Sequence, residues 1–104
     1  MPKISKAVRG KHRWIGLVFS AKFSDIRSLK DEINHILKDI DFRLYDYILD
    51  GSHGSCIIKI KLEHYQYVRG VFVAPNEIFS ITSSGKIRLV RLRISEYFGR
   101  QVDD

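Results

Sequence analysis

Residues 42–62 read FRLYDYILDGSHGSCIIKIKL, and the pairing of this stretch decides the fold. Leu44, Tyr45, Tyr47 and Ile48 are strand formers. DGSHGS is turn chemistry, since Gly51 and Gly54 can both take a positive φ. Beyond it, Ile58, Ile60 and Leu62 alternate with Lys59 and Lys61, the period-two signature of a strand with one side toward water. The stretch is therefore a β-hairpin in the middle of the chain.

On its N-terminal side, Ile26, Leu29, Ile33, Ile36, Leu37 and Ile40 recur at helical spacing. They predict a helix over about 25–39, with Ser24 as N-cap and Asp25 at the positive end of the helix dipole. Before the helix, HRWIGLVFSAKF predicts a strand from about Arg13 to Ala21. Apolar residues fall on both of its faces, which suits a central strand. On the other side of the hairpin, LEHYQYVRGVFVAP carries Tyr65, Val68, Val71 and Phe72 at helical spacing. This second helix is short, weakened by Gly70 and stopped before Pro75. NEIFSITS supplies a fourth strand. The order β-α-β-β-α-β predicts an α+β, ferredoxin-like or RRM-like sandwich, four antiparallel strands with two helices on one face.

The last segment, SSGKIRLVRLRISEYFGR, has two readings. As a strand, KIRLVRLRI alternates. As a helix, Ile87, Val90, Ile94, Tyr97 and Phe98 line one side, Ser84 caps the start and Gly99 takes the C′ position. The span is long for a strand and right for a helix, so an additional basic C-terminal helix is expected. Leu89 and Leu92 fall off its apolar stripe and need a cover, either the open sheet face or another subunit.

The chain has 104 residues, 18 Lys and Arg against 12 Asp and Glu, and a net charge of +6. That length supports one domain, expected over 12–100, with a flexible basic arm over 1–11 and an acidic tail over 101–104. Lys3, Lys6, Arg9, Lys11 and Arg13 crowd the first thirteen residues without an acid, and Lys86, Arg88, Arg91, Arg93 and Arg100 follow Ser84. The middle is near neutral. A polyanion, and a nucleic acid first of all, is the partner such a distribution implies. A single cysteine, Cys56, forbids an internal disulfide and suits a reducing compartment. No apolar run is long enough for a bilayer and none has the form of a signal peptide, so a cytoplasmic protein without a membrane partner is expected.

Catalytic chemistry is thin. His12, His35, His53 and His64 lie far apart, and Cys56 has no companion for a zinc site. SSGK resembles the tail of a P-loop without its leading glycine. No catalytic residue and no metal ligand is assigned, and the protein itself is expected to bind no cofactor. An RRM stacks bases on aromatic residues of its first and third strands. SCIIKIKL has no aromatic residue, so phosphate contact by the basic ends is the expected mode.

Together these signals resemble one family. HRWIGLVFS opening the fold, YILDGSHGSCIIKIKLEHYQYVRG, and SITSSGKIRLVRLRISEYFG are similar to the archaeal-type ribonuclease P protein component two, the Pop-five family. Arg13-Trp14 stands at that family's Arg-Tyr start. SCIIKI matches its third strand, EHYQYVR its second helix, and SGKIRLVRLR its Ser-Gly-x-Ile-basic segment, with Lys86 where the family often has Thr. The resemblance spans about 12–100. It implies a subunit of a ribonucleoprotein endonuclease, a hydrolase that removes the 5′ leader from precursor tRNA in tRNA processing. The RNA subunit carries the chemistry with Mg²⁺. The implied partners are ribonuclease P RNA, component three in a heterodimer or heterotetramer, other ribonuclease P proteins and, indirectly, precursor tRNA. The RNA-binding residues it points to are Lys86, Arg88, Arg91 and Arg93, then Arg9, Lys11 and Arg13. Two other readings compete. A ferredoxin-like regulatory or protein-interaction domain without RNA predicts a pocket of convergent polar groups and leaves the basic arm unexplained. A stand-alone nuclease requires clustered carboxylates.

Overall fold

The computed structural model describes residues 11–74 and 76–99. Arg9 and the rest of the expected basic arm up to residue 10 lie outside them, as do Arg100 and the expected tail over 101–104. The elements are β1 (His12–Ser20), α1 (Ile26–Leu37), β2 (Arg43–Asp50), β3 (His53–Lys61), a 3₁₀ turn (Leu62–His64), α2 (Tyr65–Val71), β4 (Ile78–Ser84) and α3 (Ile87–Tyr97). The fold is α+β, one four-stranded antiparallel sheet with three helices, and is compatible with a ferredoxin-like arrangement.

The strands lie in the order β2-β3-β1-β4. β1, apolar on both faces, is central. Its odd-numbered residues Ile15, Leu17 and Phe19 join Cys56, Ile58 and Ile60 of β3 beneath α1 and α2. Leu29, Ile33 and Leu37 of α1, with Val68 of α2 and Phe72 just after it, complete this larger core. Burial of a large aliphatic or aromatic side chain contributes about 1.5–3 kcal/mol, so this layer dominates stability.

The opposite face carries α3. Val90 and Ile94 pack on Ile57, flanked by Trp14, Tyr45, Ile81, Ile87 and Phe98. The approach is close at Gly16. A Cβ there would lie 3.0 Å from both Ile94 Cδ1 and Thr82 Cγ2, so glycine lets the helix settle on the strand. β3 consequently shows little of itself to water. Ser55 and Ile57 are buried on the side expected to be open, and His53, Lys59 and Lys61 remain partly or fully accessible there.

Local chemistry departs from expectation at three points. The N-cap of α1 is Asp25, whose carboxylate accepts the Ser28 N–H at 2.8 Å, rather than Ser24. Gly51 has φ +69, as turn chemistry requires, but Gly54 is glycine for space. A Cβ at residue 54 would overlap the Phe19 ring and lie 2.7 Å from the Ile48 carbonyl oxygen. Ser84 does not cap α3. The N-cap residue is Lys86, and the Ser84 hydroxyl instead accepts the Lys86 N–H at 3.1 Å.

Candidate nucleic-acid interface

Antiparallel register sets which cations share a face. Arg43 pairs with Lys59, Lys59 with Trp14, and Trp14 with Ser84, so one row crosses all four strands. Directly opposed residues project to the same side. One step outward, His12 pairs with Lys61. This basic end of the sheet lies on the face that α3 covers farther in. The Lys59 ammonium sits 5.1 Å from the Trp14 ring centroid, and Trp14 meets Tyr45 edge-on with centroids 5.2 Å apart. The aromatic pair thus holds a cation over apolar surface.

The row ends at Ser84, two residues before the N-cap of α3. Lys86 and Arg88 are exposed, and no hydrogen bond or ion pair engages either side chain among the described residues. Their charges are available to a ligand.

Arg91 and Arg93 are exposed as well, but each is already held. Arg91 Nε donates to Asp46 Oδ2 at 2.7 Å and its Nη2 donates to Oδ1 at 3.3 Å. This two-pronged pair joins α3 to β2, and the hydrogen bond to Asp46 raises the Arg91 pKa above its ordinary value. Asp46 has φ +55 and sits where the β2–β3 register shifts, so an irregularity in the strand aims the carboxylate. Arg93 donates from Nη1 to Thr82 Oγ1 at 3.2 Å and to the Ser83 carbonyl at 3.1 Å. It thereby binds the free edge of β4.

Lys11 is exposed just before β1, where its carbonyl accepts the Leu62 N–H at 3.0 Å. Arg13 is half-buried, its guanidinium carbon 5.6 Å from the Tyr65 ring centroid. The expected residues therefore form two groups. Among the described residues Lys86 and Arg88 at the start of α3, and Lys11 before β1, have no side-chain partner, while Arg91, Arg93 and Arg13 are positioned by protein partners. Arg43, Lys59, Lys61 and Arg69 belong beside them, although charge counting along the chain passes over these four. The alternation of Lys59 and Lys61 against Ile58 and Ile60 was the one available signal, and it fixes their face but not their neighbours.

Among the described residues no group of three or more His, Cys, Asp or Glu side chains comes together in a way that could hold a metal ion. Cys56 is fully buried in the larger core, and burial pushes its thiol pKa far up. Leu89 is half-buried, and Leu92 stays 40% exposed on the outer side of α3. No helix among the described residues is long and apolar enough to cross a membrane. Comparison with protein-family models, curated proteins and solved structures gives no match to this chain.

Proposed function

We propose that this chain is a non-catalytic RNA-binding subunit, acting as component two of ribonuclease P in the removal of the 5′ leader from precursor tRNA. In this reading the fold is an RRM-like β-α-β-β-α-β sandwich whose C-terminal helix occupies the sheet face an RRM uses for bases. RNA is then held through its backbone. The observation that carries the reading is the row Arg43, Lys59, Trp14 and Ser84 running into the unpaired Lys86 and Arg88. Cations from two strands lie along this row and those of a helix follow its end, with no carboxylate partner among the described residues. The motif resemblance supplies the identity of the RNA and of the partner, component three.

The division of labour follows from electrostatics. Folding RNA brings phosphates together, and their repulsion is relieved by Mg²⁺ or by protein cations. A basic subunit that neutralises several phosphates lets the RNA enzyme keep its active fold at lower free Mg²⁺. The metal ions of cleavage reside on the RNA, where they activate water and stabilise the leaving oxygen.

The decisive experiment is reconstitution of ribonuclease P RNA with this protein and component three. Leader removal at limiting Mg²⁺ is expected to depend on this chain. The double substitution Lys86→Ala with Arg88→Ala should weaken RNA binding and reduce the slope of log affinity against log salt by roughly 0.7–0.9 per lost contact. Undiminished binding and an unchanged slope in that variant would reject the interface.

A further inference from the structure

A second basic cluster lies at the other side of the β4 terminus. The ring of Tyr65, at the start of α2, has two guanidinium groups about it. Arg13 from β1 is 5.6 Å from the ring centroid and Arg69 from α2 is 5.9 Å. Neither arginine has a carboxylate partner among the described residues. The acid nearest in sequence, Glu63, turns to the His64 imidazole at 3.4 Å. Two like charges brought to one aromatic ring repel each other unless an anion joins them.

The hydroxyls nearby suit such an anion. Tyr65 Oη and Ser83 Oγ are 2.7 Å apart. One proton is used in that mutual bond, and the other hydroxyl proton is free to be donated outward. Arg13 Nη1 lies against Gly85, 3.2 Å from where a Cβ would stand, so a larger residue there would push the guanidinium aside. Arg69 and Ser83 also line a cleft of about 250 Å³ with Ile15, Ser80, Ile81 and Thr82. The donors come from three different elements, β1, α2 and β4. A planar carboxylate would meet one arginine fork, whereas a tetrahedral oxyanion can meet both forks and a hydroxyl at once.

We propose that Arg13, Arg69 and the Tyr65–Ser83 hydroxyl pair form a clamp for a single phosphate group. The clamp deepens the RNA reading by seating one backbone phosphate. It rests on that reading only for the source of the phosphate, since the same donors would hold a free phosphate ion. In either case the two arginines act together on the same anion.

The test is amide NMR of the full chain, titrated first with inorganic phosphate and then with a single-stranded oligoribonucleotide. Phosphate is expected to give saturable shifts confined to Tyr65, Arg69 and residues 83–86. Arg69→Gln, at an exposed position, should weaken phosphate binding on the order of tenfold. Tyr65→Phe keeps the ring and removes one hydroxyl, so it should weaken phosphate binding less while leaving the fold intact. Shifts that fail to saturate, or that appear equally at Lys30 of α1, overturn the clamp. Saturable phosphate binding without any RNA binding keeps the clamp and sinks the RNA reading. RNA binding that is unchanged in affinity and salt slope by Arg69→Gln, with no phosphate shift at 83–86, sinks the clamp and leaves the RNA reading standing.

Discussion

If Arg91 holds an RNA phosphate as proposed, Asp46 competes with that phosphate for it, and removing the Asp46 charge should strengthen binding. In the free protein the Arg91 guanidinium gives two donors to this carboxylate, at 2.7 and 3.3 Å. A phosphate must displace Asp46 or share the arginine with it. Asp46→Asn removes the negative charge and keeps a side chain that tolerates φ +55. The pair is partly solvated, with side chains 52% and 33% exposed, so its loss costs at most about 1 kcal/mol of stability. If Arg91 then contributes one further phosphate contact, the salt slope steepens by about 0.7–0.9. Taken from 1 M salt to 0.15 M, that exponent corresponds to roughly four- to sixfold tighter binding. Fluorescence anisotropy with labelled RNA at five or six salt concentrations measures both quantities. The double substitution Asp46→Asn with Arg91→Ala should lose the gain, which isolates the arginine. Weaker binding by Asp46→Asn, or a gain that survives Arg91→Ala, would refute the competition and make the pair a purely structural tie between α3 and β2.

Three further outcomes follow from the packing and the titrating groups. Gly16→Ala places a methyl 3.0 Å from Ile94 Cδ1 and Thr82 Cγ2, and overpacking of this kind costs about 1–3 kcal/mol. Urea denaturation should show that loss, and Ile94→Val in the same chain should recover part of it. The Asp25 carboxylate is held below its ordinary pKa, chiefly by the Ser28 backbone N–H and then by the Ser28 side chain. Its depressed pKa makes the contribution present above the unfolded value, near 3.8, and lost as pH falls through the folded value. Urea midpoints of wild type and Asp25→Asn should therefore differ at neutral pH and converge as the solution is acidified. Cys56, with its thiol pKa raised by burial, should resist a disulfide reagent at pH 8 in the native protein and react fully in guanidinium.

Much of the layered arrangement was legible in the residues. The helical stripe of α1, the alternation in β3 and the two-sided apolar pattern of β1 each follow from one periodicity. Contacts set by register were not legible. Nothing local in Arg43 or Lys59 says that they face each other, and a slip of one residue would send each to the opposite side. The register shifts between Tyr45 and Ile48 and between Gly16 and Leu17 cannot be read from hydropathy. The first accompanies the position that gives Arg91 its partner. Gly54 misled for a related reason, because a glycine that makes room for an aromatic ring looks the same in sequence as one that makes a turn. Ser24 and Asp25 are adjacent cap formers, and only geometry separates them.

The two sides of the sheet are unequally anchored. Among the described residues, thirteen buried side chains make up the core shared by the sheet with α1 and α2, against three in the core shared with α3. Local opening is cheapest where few apolar contacts hold an element down. Amides of α3 should then exchange with solvent sooner than those of β1, and the helix behaves as a plate tacked to a rigid board. Anything gripping its outer surface holds the least securely fastened piece of the molecule, so tight attachment would also quiet the motion of that piece and slow its exchange.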